Sequence, residues 1–132
     1  MKNVQELGLV VLTSLISFFA PTGQWILFIG FLVMMDMFSA LIAAHKTGKE
    51  IESRKMMRTI LKFIAYGMAV MCAHYISALF FPTMPILQAI SALIATIELK
   101  SIDENYKVIF GKSFFNTLIN ALDKQRTKPK GE

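Results

Sequence analysis

Residues Trp25 to Ala44 read WILFIGFLVMMDMFSALIAA, twenty residues whose only formal charge is Asp36. A helix needs about 20 apolar residues to cross about 30 Å of hydrocarbon, so this run predicts a transmembrane helix. Thr59 to Phe81 is a second uncharged run but for Lys62, which lies near one end where its amine can snorkel to the interface. Val4 to Ala20 is a third, with Glu6 near its start. Met84 to Leu99 is the shortest, with Glu98 near its end. We read it as a full crossing extended to about Ile102, with Glu98 buried at the inner end. A re-entrant segment would put the basic tail on the wrong side.

The whole composition agrees. Over 132 residues, 55% are apolar and 17% charged, with a mean hydropathy of +0.53; soluble domains carry about 25% charge. This argues against a soluble enzyme, a disordered chain or a nucleic-acid binder. A single cysteine, Cys72, excludes an internal disulfide framework. His45 and His74 form no metal-ligand pattern, and no phosphate loop, nucleophile elbow or HExxH is present. No catalytic residue, metal or cofactor is expected. Lys2 before an apolar run ending at Ala20 also has the form of a signal peptide; a retained first crossing is the expectation carried forward.

The breaks between runs set topology. Pro21-Thr22-Gly23-Gln24 and Pro82-Thr83-Met84-Pro85 are short and uncharged, and predict tight turns between antiparallel helices. Residues 45–62 hold six basic against two acidic residues, and 99–132 seven against four. Lys and Arg favour the cytoplasmic side, which places the middle loop and both termini there. The basic balance sets orientation and touches anionic lipid; no nucleic acid is implied. From Tyr106 to Leu122, Phe110, Phe114, Leu118 and Leu122 recur every four residues, predicting one amphipathic helix along the interface, followed by a polar, disordered end. The expected fold is an all-α membrane protein: four transmembrane helices in two antiparallel hairpins over residues 1–105, then an amphipathic helix and basic tail over 106–132.

Asp36 lies about 16 Å into its span, where a carboxylate costs about 2.5–3.5 kcal/mol. It must face protein or water. Lys62, His74, and a second copy or a wet lumen are the conceivable partners; Lys62 is favoured. Lys62, Tyr66, Val70 and His74 share one helix face. Such a face either hydrogen-bonds to neighbouring helices or becomes the wall of a hydrated lumen. Small residues repeat every fourth position at Ala65, Ala69, Ala73 and Ser77, at Ala40 and Ala44, and at Ser91 and Ala95; this spacing lets helices approach closely. The first and longest stripe is expected to make the tightest contact.

Asp36-Met37-Phe38-Ser39-Ala40, a basic loop with Ser53-Arg54-Lys55, and Lys62 together resemble the central region of bacteriophage holins of the toxin-secretion and phage-lysis group. So does Glu98-Leu99-Lys100-Ser101-Ile102-Asp103-Glu104-Asn105, which is similar to that family's E-x-x-S-I-x-E-N signature, with Gly111 following. The likeness spans roughly residues 25–120. One departure is Ala40, where the family usually has glycine. The resemblance implies a small protein of the bacterial cytoplasmic membrane that homo-oligomerises in the lipid bilayer and permeabilises it, so that an endolysin or toxin passes or acts. Asp36, Lys62 and Glu98 are then structural or lumen groups. The competing readings are a membrane adaptor that recruits a cytoplasmic partner without a pore, and a small channel or transporter subunit.

Overall fold

The computed structural model describes residues 2–49 and 53–126, with the backbone alone at 2, 53–55 and 125. Five α-helices follow in order: α1 Lys2–Phe19, α2 Gly23–Lys46, α3 Ser53–Phe80, α4 Ile86–Phe110 and α5 Phe114–Arg126, with a 3-10 turn at Ala20–Thr22 between the first two. No strand occurs among the described residues. Asn3–Lys46 and Met56–Phe80 are long and apolar enough to cross a membrane. Only 22% and 17% of their most apolar windows is buried within the molecule. The core helix of a soluble protein would be mostly buried; these turn Leu, Ile, Phe and Met outward, as a lipid solvent requires. α4 fails the same test because Glu98, Lys100, Asp103, Glu104 and Lys107 lie within it.

α2, α3 and α4 form the packed unit. α2 and α4 run parallel and make the most extensive contact, and α3 lies antiparallel to both. Their shared apolar core is Ile29 and Val33 of α2, Val70 and Ala73 of α3, and Leu87 and Ile94 of α4. Gly30 admits the Phe63 ring against the α2 backbone; a Cβ there would stand 2.8 Å from Phe63 Cε2. The small-residue stripe on α3 is not the tightest contact. Ala73 is buried, Ala69 and Ser77 are half-buried, and Ala65 is exposed. The close pair is α2 with α4, where Ala44 and Ser91 are buried and Ala40 and Ala95 half-buried. The reason is polar: the hydrogen-bonding side chains of α2 and α4 draw those helices together, as described below.

The connections differ from expectation at two places. Ala20–Thr22 is not an open turn between antiparallel helices: Gly23 keeps helical φ and ψ of −54° and −47°, and α1 packs on the turn instead of along α2. Pro21 sits at the start of the turn, where its missing N–H leaves no bond unmade. Thr22 is fully buried, its Oγ1 2.8 Å from Met71 Sδ, and Phe18 stacks on Tyr75 at 5.0 Å. These contacts hold the turn to α3, while α1 itself stays exposed.

The second difference is at the C-terminal side. α4 does not stop near residue 105; it runs to Phe110, so Phe110 and Phe114 lie on different helices. Gly111 ends it with φ +74°, donating its N–H to the Lys107 carbonyl at 2.8 Å, an αL cap that suits glycine. Lys46 Nζ donates to the Ile109 carbonyl, tying the ends of α2 and α4. Asp103 then fixes α5. Its carboxylate accepts the Ser113 hydroxyl at 2.8 Å and the Phe114 N–H at 2.7 Å, and pairs with Lys107 at 3.1 Å. Ser113 Oγ in turn accepts the Asn116 N–H, capping α5. The polar end beyond Arg126, expected to be disordered, lies outside the described residues.

Burial pushes the Asp103 carboxyl up, but the Ser113, Lys107 and Phe114 donors outweigh it and hold it below the usual carboxylate range. A depressed pKa stabilises the corner above the unfolded value, and that stability is lost as pH falls through the folded one. Protection of the Phe114 amide from hydrogen exchange is therefore expected to hold at neutral pH and to fall below about pH 4; Asp103→Asn should remove the acid dependence. Gly111→Ala should cost about 1–2 kcal/mol in thermal unfolding, the penalty for a Cβ in the left-handed region.

Candidate functional site: a buried charge cluster between three helices

Each helix of the packed unit contributes a pair of polar residues on one face. Asp36 and Ser39 are three apart on α2, Lys62 and Tyr66 four apart on α3, and Glu98 and Asn105 seven apart on α4. These spacings stack side chains on a single stripe. Parallel α2 and α4 bring Asp36 level with Asn105, and antiparallel α3 brings Lys62 between the two acids.

Glu98 is the centre, with no exposed surface. Tyr66 Oη donates to its Oε1 at 2.8 Å, and Lys62 Nζ lies 2.9 Å from the same carboxylate. Lys62 Nζ also donates to Asp36 Oδ2 at 3.0 Å. Asn105 Nδ2 donates to Asp36 Oδ1 at 3.1 Å and to Ser39 Oγ at 2.9 Å, and Ser39 Oγ donates to the Asp36 carbonyl at 2.9 Å. One ammonium thus answers two carboxylates, and one connected network crosses three helices. The Asp36 side chain is 15% exposed and that of Lys62 32%, so one flank of the cluster is open. Beside it lies a cavity of about 330 Å³ whose polar lining is Asp36, Arg58, Thr59, Ser101 and Asn105.

Asp36, Lys62, Tyr66 and Glu98 are brought together; His74 is not. Val70, between Tyr66 and His74 on the same face, is fully buried in the apolar core. The polar face of α3 therefore ends at Tyr66, and His74 packs edge-on against Tyr75 with centroids 5.1 Å apart. Of the motif residues, Asn105 joins the cluster, Ser101 lines the cavity, Gly111 caps α4, and Glu104 is exposed. The side chains of Ser53 and Lys55 lie outside the described residues. Ala40 and Ala44 form apolar walls of the cavity, and Ser91 Oγ is buried with no partner among the described residues.

Three participants carried no assigned role in the sequence reading: Ser39, the Asn105 amide as a partner of Asp36, and the Asp103–Ser113 cap. The sequence signals for the first two are the i, i+3 spacing of Asp36 to Ser39 and the i, i+7 spacing of Glu98 to Asn105, beside their places in the family-like stretches. No group of three or more His, Cys, Asp or Glu able to hold a metal occurs among the described residues. With its acids answered by an ammonium, a phenol and an amide, the cluster's chemistry is that of a clasp.

Comparison with known proteins bears on what the clasp serves. The sequence model of the Bacteriophage holin family matches residues 4–126. No curated protein and no solved structure matches the chain.

Lys62→Met removes the ammonium bonded to both Glu98 and Asp36. Breaking a buried pair costs about 3–5 kcal/mol; with Lys62 a third exposed, about 2–3 kcal/mol is expected in denaturant unfolding in micelles. The double variant Lys62→Met/Glu98→Gln should recover part of that loss, because it removes the stranded charge as well.

Proposed function

The chain belongs to the bacteriophage holin family, its match covering residues 4–126, and on that premise we propose that it assembles in the bacterial cytoplasmic membrane and permeabilises it for an endolysin or toxin. The bundle of α2, α3 and α4 to about Ile102 crosses the bilayer, and α1, mostly apolar from Leu7 to Phe19 and exposed along that stretch, adds a further lipid-facing segment. The connection between α2 and α3 and the C-terminal end are cytoplasmic. This orientation is supported by the Lys and Arg residues gathered at 46–62 and 100–126 and missing from 82–85. α5 lies in the headgroup region with Phe114, Phe115, Leu118 and Leu122 toward the acyl chains; all four are exposed and the helix ends in Lys124 and Arg126.

The observation that carries the reading is the cluster itself. A single chain hides two acids and a lysine inside a bundle whose outside is hydrocarbon-compatible, so it is harmless alone. The groups that remain partly open, Asp36 and Lys62, are those nearest a second copy or a lumen. Water in a shared lumen would solvate them and offset the cost of leaving their partners. Assembly then needs only to favour the opened arrangement over the clasped one.

Induction of the gene with dye leakage and membrane potential as readouts tests this. The wild-type chain should collapse the potential and release dye after a delay. Asp36→Asn and Lys62→Met should each shift that delay, because each changes the balance between the two arrangements. Unchanged timing in both would remove the cluster from the mechanism. Intact growth and potential on induction would favour an adaptor without a pore.

A further inference from the structure

The cluster carries more acid than base. Asp36 and Glu98 share Lys62, at 3.0 and 2.9 Å, which leaves one negative charge in excess. Tyr66 and Asn105 donate hydrogen bonds to the two carboxylates but bring no charge. Within a membrane such an excess is costly unless a further cation answers it.

On α2, Lys46 is drawn to the Ile109 carbonyl. On α4, Lys107 pairs with Asp103, and Glu104 and Lys100 are exposed and do not line the cavity. On α3, Arg58 precedes Lys62 by four residues, so it stands on the same face about 6 Å toward the cytoplasmic end. It too is exposed, but it lines the same cavity of about 330 Å³ as Asp36, Ser101 and Asn105. Its guanidinium is permanently charged and forked, suited to a carboxylate on the same open cavity.

We propose that Arg58 is the second counter-ion of this cluster, a positioning residue that neutralises the excess charge of Asp36 and Glu98 from the cavity and so holds the clasped arrangement. This rests on the membrane reading above, since the excess is expensive only there.

A double-mutant cycle on the full chain in nanodiscs, read as thermal midpoint, tests the assignment. Arg58→Gln should lower the midpoint by about 3 °C or more when Asp36 is present. In an Asp36→Asn background, where no excess charge remains, it should move the midpoint by less than about 1 °C. Arg58→Lys should recover most of the loss. Lys49→Gln, which removes an exposed cation outside the cavity, should show no coupling to Asp36. Equal losses from Arg58→Gln in both backgrounds would overturn the proposal, showing that Arg58 serves lipid or the helix end alone. The stability readout is independent of leakage, so failure of the pore reading leaves this test interpretable.

Discussion

A carboxylate placed in hydrocarbon has to be answered where it stands. Asp36 lies in a stretch apolar enough to span a membrane and Glu98 is fully buried beside it, and both are answered by Lys62. Because the three residues belong to three helices, the answer is also what holds the helices in register. Lipid supplies no hydrophobic drive for helix association, so polar side chains and close packing have to supply it. The apolar core at Ile29, Val33, Val70 and Leu87 lies toward the other end of the bundle. The two contacts work at different depths, one by charge and hydrogen bonds, the other by fit.

This division explains the choice of closest helix pair. α2 and α4 run parallel, and polar contacts recur along their shared edge: Asp36 and Ser39 with Asn105, then Lys46 with the carbonyl of Ile109. α3 contributes Lys62 and Tyr66 as a wedge between them. The alanine stripe on α3 has the right spacing for tight packing, yet Ala65 faces out. Small residues permit approach; they do not decide which approach is taken.

α4 does two jobs in one continuous helix. Its first half is apolar and packs in the core, and its second half carries Glu98, Asp103 and Asn105 in succession. Glu98 and Asn105 serve the clasp, while Asp103 serves the corner that directs α5. The clasp and the placement of the basic, amphipathic α5 are thus built on adjacent turns of one element. A change in the clasp has a short path along one helix to α5.

Much of this was legible in the residues alone. Run length and the scarcity of charge dictate helices in a membrane, because no other local arrangement satisfies the backbone there. Asp36 in the middle of such a run demands a partner, and Lys62 is within reach by depth. The extension of α4 to Phe110 was masked by the regular spacing of Phe110, Phe114, Leu118 and Leu122, which reads as one helix; a left-handed Gly111 and the Asp103 cap divide it. The fate of Pro21 was equally hidden, since proline at a helix start and proline in an open turn have the same sequence. Only the tertiary structure decided that Glu98, Tyr66 and Asn105 complete the cluster and that His74 is left out. Periodicity assigns residues to a face of a helix. Which neighbour that face meets, and at what height, depends on how three helices slide against one another, and that is settled by their joint packing.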